Sequence, residues 1–188
     1  MCIRDRNNDD YGIISGEIVK RGTIVVITND FDSDDTANVV QSLSLIESIV
    51  ELMNTTNSSN NLIPSSFGNI DLNHWGVSGH GVGAAVAYSV FPFWPESELS
   101  ANIQPPRSLF GLGIDFSGWA EGNGWSNIKP DSWSIDPATP ATGLFMTGTV
   151  DEIARGQDNP PVISATEQLG WHWMHVLGAD HYQFQDEI

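Results

Sequence analysis

One cysteine, Cys2, occurs in 188 residues, so neither a disulfide framework nor a working thiol nucleophile can be built from this chain. Cationic side chains are nearly as scarce: 7 Lys+Arg stand against 24 Asp+Glu, a formal net charge of −17. So few cations cannot form a basic stripe, which argues against nucleic acid and anionic membrane as partners. No run of 18 apolar residues is present, so no transmembrane helix is expected. Histidines in metal-ligand spacing are also lacking. His172 and His175 stand three apart on a strand and so point to opposite faces, poor geometry for a shared ion. Neither a metal nor another cofactor is expected. There is no internal repeat and no sign of a second domain, and the length suits one domain with a sizeable core.

The opening Met1-Cys-Ile-Arg-Asp-Arg6 resembles the translated sequencing-adapter leader of metagenomic fragments. It is set aside as non-native, leaving residues 7–188 as the folding unit. No secretory signal is legible, and with a non-native opening this leaves localisation open, secretion included.

What is present reads as strands alternating with helices. Residues 22–29 hold the run Thr-Ile-Val-Val-Ile-Thr, which predicts a strand buried on both faces of a parallel sheet. The acid-rich segment 30–35 suits a loop leading into a helix N-terminus. Val39, Val40, Leu43, Ile46, Ile49, Val50 and Met53 recur at three- and four-residue steps, predicting an amphipathic helix over 36–54. An Asn- and Ser-rich loop follows over 54–67. The pattern then predicts a strand over 72–78, a small-residue helix over 84–90, and an irregular proline-rich stretch over 91–106. A strand over 108–116 precedes a Trp-, Gly- and Pro-rich excursion over 118–140. Strands over 144–147 and 173–177 flank a helix around 162–169. Such alternation predicts a mostly parallel α/β sheet with right-handed crossovers.

Three segments carry chemistry. Gly79-His80-Gly81-Val82-Gly83 joins a strand-like to a helix-like stretch, the layout of a nucleophile elbow. Small residues are required two before and two after the exposed side chain, and Gly79 and Gly83 supply them. A Ser, Cys or Asp is expected between them; the chain has Gly81. Next, the β-run 143–148 ends in a turn that delivers Asp151. Last, the β-run 173–177 ends in a turn that delivers His181. Nucleophile, acid, histidine is the chain order of α/β-hydrolase triads. In that chemistry the carboxylate fixes the histidine tautomer and stabilises the imidazolium formed as the proton moves. The N–H of Val82 would supply one oxyanion donor.

These motifs resemble those of the α/β-hydrolase superfamily, and within it the branch of dienelactone-hydrolase-like proteins, chlorophyllases and cutinase-like polyester hydrolases. The likeness runs from about residue 17 to the end and rests on residues 79–84, 148–151 and 178–184, with Lys20-Arg-Gly22 leading into the first β-run. It implies an α/β-hydrolase fold lacking its first strands. It also implies a Ser-Asp-His carboxylic ester hydrolase acting on a small-molecule or polymeric ester, with Gly81 at the nucleophile position, Asp151 as the acid, His181 as the base and His80 beside them without a chemical step of its own. A second oxyanion donor would come from a loop after an earlier strand. As written, such a protein is expected to be inactive.

Alternatives stay open at this stage. A natural loss, an engineered removal and a single base change from an AGC or AGT serine codon all give Gly81. Ser78 lacks a small residue two positions on and falls where the strand is still extended, which disfavours it as nucleophile. Asp180 and Asp158 are weaker substitutes for Asp151. Trp119, Trp125 and Trp133 fit either an aromatic wall for substrate or core packing. Residues 79–84 also satisfy G-x-G-x-x-A, the dinucleotide fingerprint, but the proline-broken stretch 91–98 does not supply the strand-end acid which that reading needs. A non-catalytic ligand-binding relative is the third possibility.

Overall fold

The computed structural model describes residues 11–27, 37–56, 70–114, 135–136, 138–153, 166–167 and 169–184. The leader, the acid-rich 30–35 segment, most of the 54–67 loop, Trp119, Trp125, Trp133, Asp158 and most of the 162–169 helix lie outside these residues.

Four strands, β1 (Gly76–His80), β2 (Ser108–Leu112), β3 (Thr142–Gly148) and β4 (His172–Val176), form one sheet in the order β1-β2-β3-β4. Every pairing is parallel, so all carboxyl ends finish along one edge. The register aligns Gly79, Gly111, Phe145 and Trp173 in one row across the sheet. Two glycines beside two large rings is a packing solution: a Cβ on Gly111 would stand 2.6 Å from the Phe145 ring. Phe145 stacks on Trp173 with centroids 4.6 Å apart. Tyr88 and Phe91 meet Trp171 edge-on beside them. Each large apolar side chain removed from water contributes roughly 1.5–3 kcal/mol, so this aromatic cluster dominates the core. Burial also pushes the Tyr88 phenol well above its ordinary pKa, keeping it neutral.

Three helices are described: α1 (Gly12–Val19), α2 (Ala37–Thr56) and α3 (Val82–Phe93). In α2, Ile46 and Val50 lie one turn apart and are buried, as the three- and four-residue spacing predicts. In α3, Ala84, Ala85 and Ala87 are fully buried and let the helix axis approach the sheet. That helix runs three residues beyond the predicted 90. Pro92, which lacks an N–H for the Tyr88 carbonyl, sits within its last turn. The 91–106 stretch, expected to be irregular, continues as short 3₁₀ helices at Trp94–Glu96 and Glu98–Ala101. The strand expected over 72–78 starts late, at Gly76, because residues 72–74 turn, with the Asn73 N–H bonded to Asp71 Oδ1.

The β-branched run over 22–29 departs furthest from expectation. Its described residues, 22–27, form no strand, and Ile24 is 37% exposed. Residues 22–26 line an apolar groove of about 940 Å³ whose other walls include Ile46, Val50, Val77 and Phe110. β-Propensity favours a pleated conformation but does not provide a neighbour to pair with. Among the described residues, β1 is the sheet edge on this side.

The space around two glycines yields a stability prediction. Gly143→Ala puts a Cβ 2.2 Å from the buried Trp171 ring and should lower the unfolding free energy by about 1–3 kcal/mol. Gly16→Ala meets nothing within 4 Å inside α1 and should raise it by roughly 0.5–1 kcal/mol. Urea unfolding midpoints of the two variants check both signs.

Candidate active site

At the end of β1 the chain turns into α3 through Gly81, whose backbone has φ 56° and ψ −125°. This region is strained for any residue with a Cβ. The turn is held by the Gly81 N–H bonding Leu112 O at 2.9 Å and the Ala84 N–H bonding Gly81 O at 3.1 Å. A Cβ on Gly79 would stand 2.1 Å from the Gly83 carbonyl oxygen, so strand and helix touch backbone to backbone here. α3 begins at Val82, whose N–H is among the first-turn donors without an intrahelical acceptor.

Asp151 follows β3 and His181 follows β4, and the two loops are laced together. The Thr149 N–H bonds Val176 O at 3.1 Å, the Val150 N–H bonds Ala179 O at 3.1 Å, and the Gly178 N–H bonds Thr149 Oγ1 at 2.9 Å. Gly148 makes this closeness possible, since a Cβ there would lie 2.1 Å from Ala179 O. As a result His181 Nδ1 lies 3.0 Å from Asp151 Oδ2, with the side chains 2% and 0% exposed. The other carboxylate oxygen accepts the Ile153 N–H at 2.9 Å. With the Nδ1 proton donated to Asp151, the lone pair of a neutral His181 sits on Nε2, the state a general base needs.

His80 is fully buried beside this pair. Its ring stacks on the His181 ring with centroids 4.4 Å apart. Its Nε2 lies 2.9 Å from the His181 carbonyl oxygen and its Nδ1 lies 2.6 Å from the Tyr11 hydroxyl. Gly81, His80, Asp151 and His181 are thus gathered at one corner of the sheet's carboxyl edge. Ser78 sits mid-strand and lines the groove, its Oγ buried without a hydrogen-bond partner among the described residues. Asp180 is used locally: its carboxylate accepts the Tyr182 and Gln183 N–H groups and caps the 3₁₀ turn Tyr182–Phe184. His175 bonds Thr147 Oγ1 at 2.9 Å, and no group of three metal-ligating side chains exists among the described residues.

Two contributors escaped the sequence reading. Gly113 has φ +46°, and a Cβ there would lie 3.0 Å from His181 Nδ1 and 3.3 Å from Asp151 Oδ2. A glycine just past an apolar β-run at the carboxyl edge was the available signal. Tyr11 had none, being separated from His80 by 69 positions.

The chain has an α/β-hydrolase fold. Among solved structures it is similar to a carboxylesterase from Lactobacillus plantarum WCFS1 (TM-score 0.63, 14% identity, 96% of this chain and 72% of that one). A lipase/esterase from Lactobacillus plantarum matches with TM-score 0.58, 15% identity and 95% and 76% coverage. A truncated carbohydrate esterase from gut microbiota matches with TM-score 0.53, 10% identity and 78% and 61% coverage. The chain spans less than two thirds of several structures it matches, 57% of one from Agrobacterium tumefaciens among them. No protein-family model matches the sequence, and no curated protein matches it. No described helix is long and apolar enough to cross a membrane.

Gly113→Ala is expected to disturb this corner specifically. A left-handed backbone costs a residue with a Cβ roughly 1–2 kcal/mol, and the new methyl would also press on both polar partners. Thermal unfolding should fall accordingly, and the His181 ring resonances should move while those of His74, far away at an exposed turn, stay in place.

Proposed function

We propose that this corner is the site of a carboxylic ester hydrolase of Ser-Asp-His type, with position 81 as the nucleophile position. As written, with Gly81, the chain has no useful turnover. The observation that carries the reading is the buried 3.0 Å hydrogen bond between His181 and Asp151 beside a strand-to-helix turn of elbow geometry. A serine at 81 would attack an ester carbonyl while His181 Nε2 takes its proton and Asp151 stabilises the imidazolium. The Val82 N–H would donate to the developing oxyanion, and His181 would then return the proton to the leaving alcohol and activate the water that releases the acyl group.

The structural neighbours described as carboxylesterase, lipase/esterase and carbohydrate esterase fit a small-molecule or polymeric ester as substrate. The motif likeness at 79–84, 148–151 and 178–184 narrows this toward the dienelactone-hydrolase, chlorophyllase and cutinase-like branch. One observation favours a second reading, that of a non-catalytic binding relative: position 81 is glycine, and glycine tolerates φ 56° freely. A dinucleotide role is disfavoured because 91–98, where its acid was sought, is the end of α3 and the 3₁₀ turns that follow.

Gly81→Ser is expected to gain covalent labelling by a fluorophosphonate and hydrolysis of p-nitrophenyl acyl esters, neither of which is expected of the glycine form. Removing a triad nucleophile costs on the order of 10⁶ in kcat. Labelling is the more sensitive readout, because lack of one oxyanion donor alone costs roughly 10²–10³ in kcat. The serine should also cost roughly 1–3 kcal/mol of stability through its backbone strain. His181→Ala in the serine form should abolish labelling. A serine form that stays unlabelled and inert toward short and medium acyl esters overturns the hydrolase reading in favour of ligand binding.

A further inference from the structure

We propose that Tyr11 is a positioning residue for His181, acting by fixing the tautomer of His80. Tyr11 and His80 are both fully buried, and the Tyr11 hydroxyl lies 2.6 Å from His80 Nδ1. On the opposite side of the ring, His80 Nε2 lies 2.9 Å from the main-chain oxygen of His181. A carbonyl oxygen only accepts, so His80 Nε2 must carry a proton. A neutral imidazole carries one proton in all, which leaves Nδ1 as the acceptor of the Tyr11 O–H. The hydroxyl thus selects the Nε2–H form, and that form ties down the residue proposed as general base.

The hold on His181 is threefold. Asp151 takes its Nδ1 proton at 3.0 Å, His80 bonds its carbonyl, and the His80 ring covers its ring at 4.4 Å. Phe184, from the same loop, closes on His80 edge-on at 6.4 Å. The carbonyl bond is the hydrogen bond in this set that runs from β1, and therefore from the strand that enters the Gly81 turn, to the histidine loop. It sets the distance between position 81 and the histidine, the quantity on which proton transfer depends. Tyr11 is the residue just before α1, outside the sheet and 69 positions from His80. It belongs to none of the three site motifs, and its hydroxyl hydrogen-bonds His80.

The catalytic meaning of this device rests on the hydrolase reading, whereas its effect on the two histidines does not, and the experiments separate them. On the chain as it stands, ¹⁵N-edited spectra of the histidine rings should show His80 as a single neutral Nε2–H tautomer. Tyr11→Phe, which removes one oxygen and keeps the ring, should populate the Nδ1–H form of His80 and shift or broaden the His181 ring signals. His80→Gln keeps an amide N–H near the Nε2 position, so adding Tyr11→Phe to it should change the His181 signals no further. In the Gly81→Ser background, Tyr11→Phe should lower kcat about tenfold to a hundredfold with KM unchanged, the signature of a displaced group rather than lost substrate binding. Unaltered His80 and His181 spectra in Tyr11→Phe would overturn the proposal, as would a His80 that is an imidazolium or an Nδ1–H tautomer in the parent chain. The expected spectral response in a Gly81→Ser protein with no activity would sustain the positioning of His181 and sink the esterase reading alone.

Discussion

Backbone contact between β1 and α3 is the constraint on which the rest of the corner depends. At Gly79 the Gly83 carbonyl oxygen occupies the place a Cβ would need, 2.1 Å from it. Only that approach lets a chain leave a buried parallel strand and enter a helix lying directly on the sheet. The alanines at 84, 85 and 87 continue the same economy of volume, and the large rings of Tyr88, Phe91, Phe145 and Trp171 fill what lies beyond. Space removed at one place is taken up at the next, which is how a close-packed interior accommodates a sharp turn.

The histidine corner uses the same device three times. Gly148 admits the Ala179 carbonyl, Gly113 admits the imidazole and carboxylate, and Gly81 takes a backbone conformation hostile to other residues. Around these gaps, hydrogen bonds between 149–150 and 176–179 hold two loops in fixed relation. Hydrogen bonds of this kind fix the relative places of Gly81, Asp151 and His181, which follow three different strands. A parallel sheet brings those strand ends to one edge without further machinery.

Position 81 shows the tension between stability and chemistry. A side chain there must be forced into φ 56°, so a hydroxyl is gained at a cost in folding free energy. Glycine relieves that strain while leaving the His181–Asp151 pair, the Val82 N–H and the His80 brace in place.

Much of this architecture was legible in the sequence because it is written locally. The alternation of β-runs with helical spacing gave the parallel α/β class, and the turn after each run located Gly81, Asp151 and His181 at strand ends. The spacing of Ile46 and Val50 likewise marked the buried stripe of α2. Local pattern failed where a residue's state depends on a distant partner. The Thr-Ile-Val-Val-Ile run has every property of a buried strand, yet the described residues 22–27 form no strand, and 22–26 line a groove instead. Pairing is a matter of two chains meeting, which propensity does not encode. Tyr11 reaches His80 across 69 positions, and His80 reaches the His181 carbonyl across 101. The sequence by itself determined the fold class and the chain order of the site residues, since periodicity and turn chemistry act over a few residues. Only the tertiary structure decided which groups face the two ring nitrogens of His80, which glycine backs the His–Asp pair, and how closely β1 approaches α3, since each is fixed by atoms that meet only when the chain is packed.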